Sequence, residues 1–182
     1  MIHFNVNPNK ALETIVYLAN KKEDLDHYHL VKTIFYADKM HLNNYGRPIL
    51  GDVYKKMKAG PVPSLVLDLI NCNSFMLSPD LLQKSIKAFE IVQKGKQKLV
   101  KAKRNADLDE FSQTDIECLD HAFKLCSVKS GKELCNATHE ERSWIAAELN
   151  GDMDYALFLN ENNPLKDDII QDLKENSSSM VF

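Results

Sequence analysis

Apolar residues recur at helical spacing through the first quarter of the chain. Leu12, Ile15, Val16 and Ala19 share one face of a segment from Asn9 to Asn20, and Asn9 is placed to cap its start. A charged turn, KKEDLD, leads into His27 to Leu42, where Leu30, Val31, Ile34, Phe35, Ala37, Asp38, His41 and Leu42 return at three- and four-residue intervals. This is the most regular helical pattern in the sequence. It stops at Tyr45-Gly46-Arg47-Pro48, because glycine accepts the positive φ of a helix C-cap and proline cannot continue the ladder. Ile49 to Lys56 alternates loosely and predicts a short strand or ribbon; Lys58-Ala59-Gly60-Pro61 turns again, and Ser64 is placed to cap a helix carrying Leu65, Val66, Leu69 and Ile70.

Beyond this point the pattern predicts a short helix from Asp80 to Lys87, then a hairpin. Phe89 to Gln93 and Lys98 to Lys103 have strand character, and Lys94-Gly95-Lys96-Gln97 joins them. Ser112-Gln113-Thr114-Asp115 has the form of a capping box before Ile116, Leu119, Phe123 and Cys126, and Ser130-Gly131-Lys132-Glu133 repeats it before Leu134. A further helix is expected from His139 to Leu149, closed by Gly151. The last segment predicts a short helix over 152–159, another after Asn163-Pro164 with Leu165, Ile169, Ile170 and Leu173, and a frayed Ser177-Ser178-Ser179 tail. The expected fold is mainly α with a small β component: a compact single-domain helical bundle at 1–150 with a short central ribbon and a basic β-hairpin, followed by an acidic helical extension at 151–182.

Composition agrees with a folded domain. The 182 residues are 44% hydrophobic and 27% charged, which excludes an intrinsically disordered chain. No apolar run approaches a membrane span, and the start, MIHFNVNPNK, has no basic patch followed by an apolar stretch, so a cytoplasmic protein is expected. Cys72, Cys118, Cys126 and Cys135 form no C-x-x-C pair and match neither a zinc site nor a small disulfide framework; buried free thiols are expected. Charge is divided unevenly. Residues 1–104 hold 17 Lys and Arg against 9 Asp and Glu, whereas residues 105–182 hold 6 against 17. That division either places opposite charges face to face inside the fold or offers a basic and an acidic surface to partners.

Catalytic patterns are sparse. His139-Glu140-Glu141-Arg142-Ser143 begins like a zinc protease helix, but serine stands where the second histidine is required. His27 and His29 lie two apart and point in different directions on a helix, which fits a cap or surface role. Asp38 and His41 are one turn apart and fit a structural pair, a metal half-site or an acid–base couple. No phosphate-binding loop, dinucleotide fingerprint or G-x-S-x-G elbow occurs, and no cofactor is expected. The basic hairpin is a separate candidate surface: residues 84–104 contain eight Lys or Arg and one acid, Glu90. Lys94, Lys96, Lys98, Lys101, Lys103 and Arg104 form either a nucleic-acid or acidic-partner contact, or a solvated edge that lysines protect from strand addition. Trp144, the only tryptophan, is expected to anchor a helix in the core.

Taken in order, LVKTIFYADKMHL, NNYGRPILGDVYKKMKAGPVPSLVLDLI and LCNATHEERSW resemble the Panacea domain, a SocA-like, phage-associated family. The resemblance runs from about Leu30 to Trp144. It implies an antitoxin that neutralises a cognate protein toxin by direct binding, and an absence of enzymatic activity. A further role comes with it, an adaptor handing a toxin to an ATP-dependent protease; the charge of the basic hairpin separately allows a DNA-binding autoregulator. The positions carried over are Tyr36, Asp38, His41, Tyr45, Gly46, Arg47, Pro48, Gly51, Asp52, Tyr54, Lys58, Gly60, Pro61, Pro63, His139 and Trp144. These residues either maintain the fold or contact the partner, and the acidic Asp152, Asp154, Glu161, Asp167 and Asp168 offer a mimic of a toxin's phosphate-bearing ligand.

Overall fold

A long central helix sets the architecture. In the computed structural model, which describes residues 1–181, α1 spans Pro8–Lys21, α2 His27–Tyr45, β1 Tyr54–Met57, β2 Gly60–Pro63 and α3 Ser64–Ile70. These are followed by α4 Pro79–Ala88, β3 Phe89–Lys94, β4 Gln97–Ala102, α5 Gln113–Ser127, α6 Gly131–His139, α7 Arg142–Ala146 and α8 Lys166–Asn176. Each sheet is an antiparallel pair, β1 with β2 and β3 with β4, so the expected mainly α fold with a small β component is what the chain adopts. Among the described residues no helix is long and apolar enough to cross a membrane.

Local chemistry fixes most boundaries. α1 starts two residues earlier than the apolar spacing predicts, because Asn7 accepts from the Asn9 and Lys10 amides and Pro8 occupies the first turn, where its missing N–H is not needed. Asp26 caps α2 through the His29 amide, and Gly46 ends it at φ +74, its N–H bonded to Leu42 O. Both predicted capping boxes form, Ser112 with Asp115 and Ser130 with Glu133. Other expectations change. The strand begins at Tyr54 rather than Ile49, because Asp38 holds the Ile49 and Leu50 amides. The helix expected over 139–149 shrinks to the five residues of α7, since His139 already closes α6.

The core has two parts that meet on α2. Leu30, Val31 and Ile34 join Leu12, Ile15 and Val16 of α1, Leu69 of α3, Ala88 and Val100 around the β3–β4 hairpin, and Leu119 of α5. Phe35 and Leu42 turn the other way and meet Tyr54, Met153, Tyr155, Phe158, Leu159 and Leu173. That second part is an aromatic cluster: Phe35, Tyr54 and Phe158 pack edge to face with centroids 5.3–5.6 Å apart, and Tyr155 stacks on Phe158 at 4.6 Å. Such pairs add about 0.5–1.5 kcal/mol each beyond the area they bury.

The acidic segment after Asn150 therefore supplies core residues to the helical domain. Asn43 on α2 holds it further, donating to Phe158 O and accepting from the Asn160 amide. Near the C-terminus, Ser177–Ser179 forms a 3-10 turn in place of the frayed tail expected, and Asn5 bonds to Met180 O. Two of the cysteines, Cys118 and Cys126, are buried thiols as anticipated. Cys135 is half-buried and Cys72 is exposed.

Candidate functional site

The central block, residues 43–64, is folded from inside by two carboxylates. Asp38, fully buried on α2, accepts from the amides of Ile49 and Leu50 at 2.9 Å each and from the Tyr54 hydroxyl at 3.1 Å. Burial pushes its carboxyl up to about 7 against the three bonds that favour the charge. Asp52 accepts from the Leu65 and Val66 amides, both at 3.1 Å, and so caps α3 from thirteen residues away. The Ser64 hydroxyl, the expected cap, donates to Val53 O instead. Gly51 sits at φ +66, turning the chain between the two carboxylate-held segments.

His41 does not pair with Asp38. Its Nδ1 meets Arg47 O at 2.8 Å and its Nε2 meets Thr114 Oγ1 at 2.9 Å. Arg47 reaches Asp115 at 3.0 Å, and Lys10 reaches the other oxygen of the same carboxylate at 2.8 Å. Asp115 thus staples α1 and the central block to the start of α5, with no solvent exposure of its side chain. Tyr45 lies outside, half exposed against the His41 ring at 4.6 Å, and Pro48 is buried. Tyr36 is half-buried beside Phe35 at 5.2 Å, and burial pushes its hydroxyl well above the ordinary range. Among the described residues no cluster of three His, Cys, Asp or Glu is arranged to hold a metal.

The same block turns outward at Lys58-Ala59, the two-residue turn between β1 and β2. Gly60 follows at φ +102, facing Thr138 and Lys32 so closely that no side chain fits there. Between this turn and the first half of α2 lies an open groove of about 420 Å³, walled by Val31, Met57, Val62, Leu67 and Leu149 and rimmed by His27, Tyr28 and Lys58. Pro61 contributes from behind the wall: its carbonyl accepts from the buried Lys32 ammonium at 2.7 Å. Pro63 ends β2 and leads into α3.

Beside the groove stands an aromatic platform. Trp144, expected to anchor a helix in the core, is instead half-buried, because α7 is one short turn on the surface. Its ring stacks on His139 at 3.9 Å with an angle of 12°, its Nε1 donates to Met57 O at 3.2 Å, and Lys56 Nζ lies 4.2 Å from its centre. Ile145, 60% exposed, and Leu149, 52% exposed, add apolar surface to α7 and the segment after it.

The charged surfaces are largely engaged within the fold. Arg104 is bound by Glu13, Lys94 lies 3.6 Å from Asp24, Lys98 donates to Asn71, and Lys103 donates to Ile86 O. Among the described residues Lys96, Lys98 and Lys101 make no ion pair, so the hairpin offers three such lysines and not a continuous stripe. On the acidic side Asp152 pairs with Lys55, Glu161 with Arg142 and Lys166, and Asp154 caps a 3-10 turn through the Ala156 amide. Asp167 and Asp168 occupy the first turn of α8, where its dipole favours them.

A family model described as antitoxin SocA-like, Panacea domain, matches residues 30–145, well over half of the chain. The chain belongs to this family. No curated protein and no solved structure matches it. The matched span of this Panacea domain begins on α2 and ends at Ile145 of the platform, so it contains the whole central block and most of the groove wall. Sequence reasoning missed Lys32. The signal was present, since Tyr28, Lys32, Phe35 and Tyr36 fall on one helical face at i, i+4, i+7 and i+8, which places a lysine among aromatics.

Proposed function

We propose that this Panacea domain is an antitoxin that neutralises a protein toxin by direct contact, through the face where the Lys58-Ala59 turn meets the Trp144 platform. The observation that carries the reading is the conjunction of a rigid backbone and exposed apolar groups. Asp38 and Asp52 hold the block from inside, so the turn is preorganised and loses little entropy on binding. Ile145 and Leu149 are exposed within five residues of a half-buried tryptophan with a cation over its ring, a composition suited to a protein interface. The motif residues then divide in role: Asp38, His41, Gly46, Arg47, Asp52 and Tyr54 maintain the fold, while Lys58, His139 and Trp144 face the partner.

Growth on co-expression with the neighbouring open reading frame tests this. The neighbour alone should arrest growth, and the wild-type chain should restore it. Ile145→Asp with Leu149→Asp should abolish rescue at unchanged protein level and melting temperature, since both side chains are exposed. A harmless neighbour, or full rescue by the double variant, would refute the reading.

A further inference from the structure

Of the two buried lysines among the described residues, Lys10 is paired with Asp115 and Lys32 has no carboxylate partner. Its side chain has no solvent exposure, yet among the described residues it makes no ion pair. It has three N–H donors when charged and one protein acceptor, Pro61 O at 2.7 Å; the Tyr28 ring centre lies 4.8 Å away. The same residue lines the apolar groove between α2 and the β1–β2 turn, whose lining includes His27, Lys32 and Lys58 and no acidic side chain. We propose that this groove binds a small apolar carboxylate, its alkyl or aryl body against Val31, Val62 and Leu149 and its carboxylate paired with Lys32.

The chemistry selects that class. A neutral apolar ligand would leave the remaining Lys32 donors unpaired in an environment sealed from water, and a cation would meet three basic groups. A phosphate carries more charge and more oxygens than one buried ammonium can pair, and beyond the basic side chains, Tyr28 and Asn150 the wall is hydrocarbon. A single carboxylate supplies the missing acceptor, and about 420 Å³ is the lower range of small-molecule sites, suited to one chain or one ring. Tyr28 is the cover. It lies over Lys32 Nζ, and its hydroxyl donates to Ala59 O at 3.0 Å at the exposed rim of the groove.

Binding is coupled to a proton. Burial lowers the Lys32 ammonium to about 7, and a carboxylate beside it favours the charged form. The other titratable groups near Lys32 are Tyr28 and His27 on α2, Cys126 on α5, Cys135 on α6 and Lys58 at the turn, none of them an acid that would substitute for the ligand. The inference is independent of the antitoxin reading.

Calorimetry and amide chemical-shift mapping with octanoate and octanol decide it. At pH 7 octanoate should saturate one site, shift groove residues, and bind at least about tenfold more tightly than octanol. Between pH 7 and 9 its affinity should fall more than about tenfold, as expected for a site that must gain a proton. Lys32→Met should bind both probes within about twofold of one another at either pH. Equal binding of the two probes to the wild-type chain, a flat pH series, no saturable octanoate binding, or shifts confined to other surfaces would each overturn the proposal. The wild-type comparisons stand whether or not the variant folds.

Discussion

Replacing Lys32 by methionine should stabilise the protein, and by an amount that depends on pH in a defined direction. The ammonium has an ordinary value of 10.5 and is lowered by burial to about 7. At 1.36 kcal/mol for each pH unit between those values, burying the charged form costs about 5 kcal/mol when both states are protonated. Between 7 and 10.5 the unfolded chain binds a proton that the folded chain does not, so the stability of the wild type rises with pH through this window. Methionine preserves the packing but leaves Pro61 O without its donor, which costs about 1–3 kcal/mol. The variant should therefore be more stable at pH 7 by about 2–4 kcal/mol, or about 4–16 °C in melting temperature for a chain of this size. By pH 9 that advantage should shrink by about 2 kcal/mol. Urea or calorimetric unfolding at pH 7 and pH 9 measures it. The change in the difference isolates the charge, because loss of the Pro61 bond does not depend on pH. A gap that stays constant between the two pH values would refute the reasoning.

Three further outcomes follow from the carboxylates. Asp38→Ala strips an acceptor from two buried amides and the Tyr54 hydroxyl and should cost about 3 kcal/mol or more, seen as a lower urea midpoint; a loss under about 1 kcal/mol would contradict its role as organiser of the block. Asp52→Ala should cost about 1–2 kcal/mol and speed hydrogen exchange at Leu65 and Val66 in particular, because it removes the cap of α3. Burial raises the Asp115 carboxyl, but Lys10, the Ser112 amide and Arg47 outweigh it and hold the group below its ordinary 3.8. Its contribution is complete above that value and is lost as pH falls through the folded value, so Asp115→Asn should lessen the acid sensitivity of unfolding while lowering stability at pH 7.

What was legible in the residues is what short-range sterics and capping chemistry dictate. Gly46-Arg47-Pro48 ends α2 wherever that helix packs, and Ser112 and Ser130 begin helices because their partners lie three residues away. Lys94 to Gln97 turns a hairpin for the same local reason. The central block was equally legible as a family signature, though its interior was not. Asp38 meets Ile49 and Leu50 eleven and twelve residues on, and Asp52 caps the helix that Ser64 is placed by sequence to cap; either serves locally, and only the closed chain decides between them.

Periodicity gives the side of a helix that is buried, not the neighbour it is buried against. Leu42 and Phe35 were evident as core positions, whereas their packing against Phe158 and Leu173 depends on how residues 151–176 return across α2. The opposite charges of the two halves likewise meet as Lys55 with Asp152 and Lys10 with Asp115 once the fold brings them within range. Lys32 shows the division most plainly. Its spacing from Tyr28, Phe35 and Tyr36 was present in the sequence but did not single it out. Tertiary structure alone decided that it lies in a groove wall beside Pro61 and Tyr28 with no carboxylate paired to it among the described residues, because the dielectric and partners of a charge are set by groups distant along the chain.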